Sequence, residues 1–95
     1  MSKTRIVYNF YIENDIVGEL HAFFSEGSMP FNGDKIYLDR EFAEGIFLPK
    51  GKYRHKIEGE IKTTRDMLRR QSWKVTDIIS DNPDFSKINL IIDKS

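Results

Sequence analysis

The chain has 95 residues, of which 39% are hydrophobic, 13% aromatic and 32% charged, with no cysteine and a formal net charge of zero. That length predicts a single domain around one core, and the missing cysteines exclude disulfides, thiolate metal sites, iron–sulfur clusters and a cysteine nucleophile together. No run approaches the roughly 18 apolar residues that cross a bilayer as a helix, so a cytoplasmic protein with no membrane partner and no cofactor is expected.

Taken in chain order, the first signal is an alternation with a period of two, the mark of half-buried strands. In TRIVYNFYI, residues Ile6, Tyr8, Phe10 and Ile12 share one face, opposite Val7, Asn9 and Tyr11. Asn9, Glu13 and Asn14 interrupt the apolar residues, so the segment reads as a strand of the mature fold and not as a leader peptide. In DIVGELHAFF, Ile16, Gly18, Leu20, Ala22 and Phe24 lie opposite Val17, Glu19, His21 and Phe23. The two runs, joined by a short polar turn, predict an antiparallel hairpin.

Gly27, Pro30 and the pair Asn32-Gly33 mark SEGSMPFNGD as a loop. KIYLD predicts a short strand with Ile36 and Leu38 inward. REFAEGIFLP predicts one or two helical turns, with Asp39 as cap and Phe42 and Ile46 four apart on one face. Pro49 and Gly51 then turn the chain into KYRHKIEGEIK, residues 52–62. Its odd positions from Tyr53 to Ile61 form one row and its even positions, Arg54, Lys56, Glu58, Glu60 and Lys62, an entirely charged one, which predicts a strand with a wet outer side. TTRDMLRRQ predicts a short helix or crossover, and SWKVTDIIS and KINLIID predict two more strands about a turn at Asn82-Pro83-Asp84. Gly18 and Gly59 inside strands predict curvature.

The expected fold is mainly β, at the margin of α+β: one small domain over residues 1–95, built as a strongly curved antiparallel sheet or small barrel of about six strands with one or two short helical segments.

Chemistry-bearing residues are sparse. The two histidines, His21 and His55, lack metal-ligand spacing, and no serine stands in a nucleophile-elbow context. No catalytic residue and no metal site is therefore assigned, and a non-enzymatic binding module is the leading expectation. Val7, Tyr11, Val17 and Phe23, apolar residues on the outer row of the first hairpin, call for a cover, and a homodimer through the hairpin supplies one.

Two other readings compete. Residues 50–74 carry nine basic side chains against three acidic ones, and Arg54, Lys56, Arg65, Arg69, Arg70 and Lys74 outline a surface for a nucleic acid or other polyanion. Its aromatic residues, Tyr53 and Trp73, fall on apolar rows, which argues against base stacking. Lastly, His55 and Asp77 both fall on inward rows beside Trp73, the raw material of a small-ligand pocket or weak general-base site.

Overall fold

The computed structural model describes residues 4–24, 30–82 and 85–93, with the side chains of Thr4, Phe23, Phe24, Asp81 and Asn82 outside that description. The predicted hairpin forms from β1 (Thr4–Ile12) and β2 (Asp15–Phe24), turned by Glu13 and Asn14 at φ 50° and 69°. Phe10 lies opposite Gly18 and Tyr11 opposite Ile16, which leaves Val17 as the extra residue of a β-bulge. A second hairpin joins β5 (Trp73–Asn82) to β6 (Phe85–Ile92). Its turn at Asn82-Pro83-Asp84 lies partly outside the described residues, as does most of the loop before Pro30.

Between the hairpins come β3 (Lys35–Ile36), α1 (Asp39–Glu44), β4 (Ile46–Pro49), a 3-10 helix (Gly51–His55) and α2 (Glu58–Arg70). The six strands form one sheet in the order β3-β5-β6-β1-β2-β4. Every neighbouring pair is antiparallel except β1 and β6, which run parallel and set the two hairpins side by side. The sheet is open, with β3 and β4 at its ends, so the barrel expectation gives way to a mixed sheet.

Residues 52–62 are not a strand. Tyr53 belongs to the 3-10 helix, and Glu58 to Lys62 are the opening turns of α2. Ile57, Ile61, the buried Thr64 and Leu68 step by four, three and four, which is one face of a helix. Glu58 and Glu60 in the first turn and Arg69 and Arg70 in the last complement the helix dipole. Gly59 sits on the exposed side of that helix with open space around it, so it marks no bend. At α1, Leu38 and not Asp39 occupies the cap position. Gly45 then ends the helix in extended backbone, and Ile46 leaves the Phe42 face to start β4.

Both helices pack on one face of the sheet. Phe42 and Leu68 are buried in the cluster that holds Ile6, Phe10, Leu20, Trp73, Val75, Ile88 and Leu90, the inward rows of four strands. Phe10 is its centre: the ring stacks on Phe42 at 5.4 Å between centroids and meets Trp73 edge-on at 4.8 Å. The Trp73 indole N–H donates to the Leu68 carbonyl at 2.9 Å, which ties the last turn of α2 to β5. Phe47 of β4 closes over the same rings, 6.4 Å from Phe10 and 5.9 Å from Phe42. A Cβ on Gly18 would collide with the Phe47 ring, so Gly18 serves close approach between strands and Gly at that point of β2 follows from packing.

Under α1 lies an electrostatic cost. Burial pushes the Tyr8 phenol far above its ordinary value of 10.0, and the Glu41 charge adds to the shift. The Glu41 carboxyl is itself raised from 4.5, first by burial, with the Glu44 and Asp39 charges adding to the shift and a backbone hydrogen bond and the Arg40 charge opposing it. A carboxyl raised by folding favours its neutral form in the native state, so its contribution is present below the ordinary carboxylate range and lost as pH rises through the folded value.

Two outcomes are expected. Gly18→Ala destabilises the fold by about 1–3 kcal/mol in denaturant unfolding, and adding Phe47→Leu recovers part of that loss. Glu41→Gln raises the melting temperature at pH 7, and the gain shrinks as pH falls through the raised folded value and is lost below 4.5, where Glu41 is protonated in both states; a lower melting temperature at pH 7 contradicts this account.

Candidate functional site

With both helices on one face, the opposite face of the sheet is uncovered among the described residues, and register places its side chains in rows. One row runs Ile79, Lys87, Val7, His21, Ile46 from β5 to β4, and the next runs Asp77, Asn89, Asn9, Glu19, Leu48. At the centre, Val7 and Asn9 are buried. Towards the edges the face becomes apolar and wet: Ile46 is 66% exposed, Leu48 41% and Ile91 40%.

A polar network crosses the middle. Arg5 Nη2 donates to His21 Nδ1 at 2.7 Å, and His21 Nε2 donates to Glu19 Oε2 at 3.1 Å, a tautomer assigned from these partners. Lys50 Nζ stands 3.9 Å from Glu19 Oε1. Beside it the Asn9 amide donates to Asn89 Oδ1 at 3.0 Å. Both nitrogens of His21 are engaged, so the imidazole offers no lone pair to a substrate in this arrangement. The ammonium of Lys87 lies 5.8 Å from the Phe85 ring centroid, which leaves that ring partly occupied.

The four residues expected to need a cover fare differently. Val7 is buried on the open face, and Val17, displaced by the bulge, joins the core. Tyr11 is half-buried on the open face, and the Phe23 side chain lies outside the described residues. Neither valine, at 5% and 3% exposure, calls for a partner to cover it.

The six expected cations do not form one surface. Arg65 donates to the Phe42 carbonyl at 2.5 Å, satisfying the end of α1, and Arg69 is ion-paired with Asp39 at 2.5 Å. That hydrogen bond and charge hold the Arg69 guanidinium above its ordinary value. Arg54 and Lys56 are exposed before α2 and Arg70 at its far end, separated by a helix that extends roughly 20 Å at about 1.5 Å per residue. Lys74 projects on β5, in register with Ile91.

His55 and Asp77 are not brought together. Asp77 lies on the open face opposite Asn89, whereas His55 ends the 3-10 helix that packs beside β2. Strands β6 and β1 stand between β5 and β2, a separation of roughly 14 Å at about 4.8 Å per strand. Trp73, expected beside them, is fully buried in the core. Two grooves among the described residues lie elsewhere. One of about 430 Å³ sits between the 3-10 helix and α2, lined by Tyr53, Lys56, Ile57 and Gly59. Another of about 750 Å³ sits at the strand ends, lined by Tyr11, Glu13, Lys74 and Ile91.

Ile46 and Leu48 are the surface residues that sequence reasoning missed. The signal available for them was IFLP between Gly45 and Pro49: four residues alternating in burial and ending in a proline, the composition of an edge strand. Among the described residues, no group of three or more His, Asp and Glu side chains is placed to hold a metal ion, and no helix is long and apolar enough to cross a membrane. Comparison with protein-family models, with curated proteins and with solved structures gives no match.

Proposed function

We propose that this chain is a non-enzymatic binding module that takes a protein partner, in the first instance a second copy of itself, on the open face of the sheet and its β4 edge. The observation that supports the reading is the exposure of Ile46 and Leu48 together on a strand with one free side. Large apolar side chains at a sheet edge favour association, since burying them removes apolar surface from water and pairing the strand satisfies its backbone. The parallel pair β1 and β6 adds to this, because parallel strands are ordinarily covered on both faces.

A polyanion or nucleic acid is the rival occupant. In its favour Arg54, Lys56, Arg70 and Lys74 are exposed. Against it, two of the six cations it needs are engaged with α1, and exposed Ile46 and Leu48 offer nothing to phosphate.

Sedimentation velocity over a wide concentration range separates the readings. The unmodified chain is expected to gain mass with concentration. A variant carrying Ile46→Asp and Leu48→Glu is expected to keep its melting temperature, because both side chains are exposed, and to associate at least tenfold more weakly, a change of about 1.4 kcal/mol. Labelled oligonucleotides that bind with steep salt dependence, while the chain itself stays monomeric, replace this reading with the rival.

A further inference from the structure

We infer that the groove at the ends of β1 and β6 is a binding site for a dipolar ligand of tripeptide length, its ammonium at Glu13, its carboxylate at Lys74 and an apolar body between them over Tyr11 and Ile91. The site is separate from the β4 edge and does not depend on the self-association reading.

Topology makes the groove. β1 ends at Ile12 and β6 at Ile92, and because the two strands run parallel, both carboxyl ends emerge at the same end of the sheet. There the chain leaves β1 towards β2, while β5 enters on the far side of β6, so the connections diverge over the two strand ends. In open α/β sheets ligands sit outside carboxyl ends where connections diverge. Here the divergence leaves a groove of about 750 Å³ among the described residues, within the roughly 300–1,000 Å³ of small-molecule sites. Register sets its floor. Tyr11 pairs with Ile91 and Ile91 with Lys74, so the three form the row of the open face nearest the strand ends. The half-buried Tyr11 ring and the exposed Ile91 make that floor apolar.

Charge then selects the ligand. Asp93, at the groove wall, is balanced by Lys35 at 3.4 Å. Glu13 on one side and Lys74 on the other are exposed and make no ion pair among the described residues. An anion alone meets Glu13 and a cation alone meets Lys74, whereas a molecule with both charges at opposite ends satisfies each and is selected by the same repulsions. Two strand spacings of about 4.8 Å put the β5 and β1 sides roughly 10 Å apart. A peptide extends about 3.3–3.6 Å per residue, so three residues span the groove, with the middle side chain on Tyr11 and Ile91.

The turn supplies an independent observation. Glu13 and Asn14 are the two central residues of the first hairpin, both at positive φ, 50° and 69°. Such turns favour Asn, Asp and Gly. Asn14 meets that preference and Glu13 does not, so a carboxylate stands at the groove in left-handed backbone that a shorter side chain adopts at lower cost. Strain of this kind marks a residue with work outside its own turn.

Heteronuclear NMR titration of the chain with alanyl-phenylalanyl-alanine at pH 7 tests the site. Saturable shifts at Tyr11, Glu13, Lys74 and Ile91 are expected at millimolar peptide, with affinity falling severalfold when the peptide is N-acetylated or C-amidated. Glu13→Gln is expected to erase the penalty of N-acetylation, and Lys74→Gln that of C-amidation, because each ion pair has then already lost its protein side. Glu13→Asn is expected to bind as weakly as Glu13→Gln yet to melt higher than the unmodified chain. No shift at these four residues, or equal binding of the free and the doubly blocked peptide, overturns the site. A Glu13→Asn chain that binds the free peptide undiminished overturns the dipolar pairing. Self-association is read separately by sedimentation, so either reading can fail alone.

Discussion

The Phe10 ring is the point on which the rest of the structure depends. Phe42, Phe47 and Trp73 reach it from α1, β4 and β5, segments that lie 32 to 63 residues further along the chain. Aromatic packing of this kind contributes through area and edge geometry together, and it has a directional consequence. Every segment that reaches Phe10 must approach from one face of the sheet. Both helices and the inward side of β4 are gathered there, and among the described residues the opposite face is left without a layer of its own.

Two of the nine cations in residues 50–74 serve that same gathering. Arg65 on α2 closes the carbonyl end of α1, Arg69 pairs with Asp39 at its start, and the Trp73 indole anchors the end of α2. A short helix such as α1, six residues long, is unstable alone, and these contacts together with buried Phe42 hold it in place. A run of cations in a small neutral protein can thus be structural mortar. Of the six cations read as a surface, the four left over, Arg54, Lys56, Arg70 and Lys74, are divided between the two ends of α2 and β5.

Sequence periodicity located both hairpins because their apolar residues alternate over eight to ten positions, longer than chance readily supplies. It failed at 52–62 for an arithmetic reason. Tyr53, Ile57 and Ile61 are four apart, and a spacing of four satisfies a period of two and a period near 3.6 equally. The residues that completed the imagined strand row, His55 and Gly59, are not apolar, and a longer window through Thr64 and Leu68 resolves the ambiguity in favour of the helix. The candidate site was less legible. Val7 and Val17 looked exposed because alternation reports only which side of a strand a residue takes. It is silent on how deeply flanking strands or a bulge bury that side.

By itself, then, the order of residues determined that the chain would be a small, mainly β domain with an aromatic core, since strand alternation and ring content are local properties written along the chain. Tertiary structure alone decided the parallel union of β1 with β6, the placement of β4 at the edge beside β2, and the gathering of both helices on one face. Each of those is a choice among partners distant in sequence, made by whichever packing buries the rings around Phe10 most completely, and no local period encodes it.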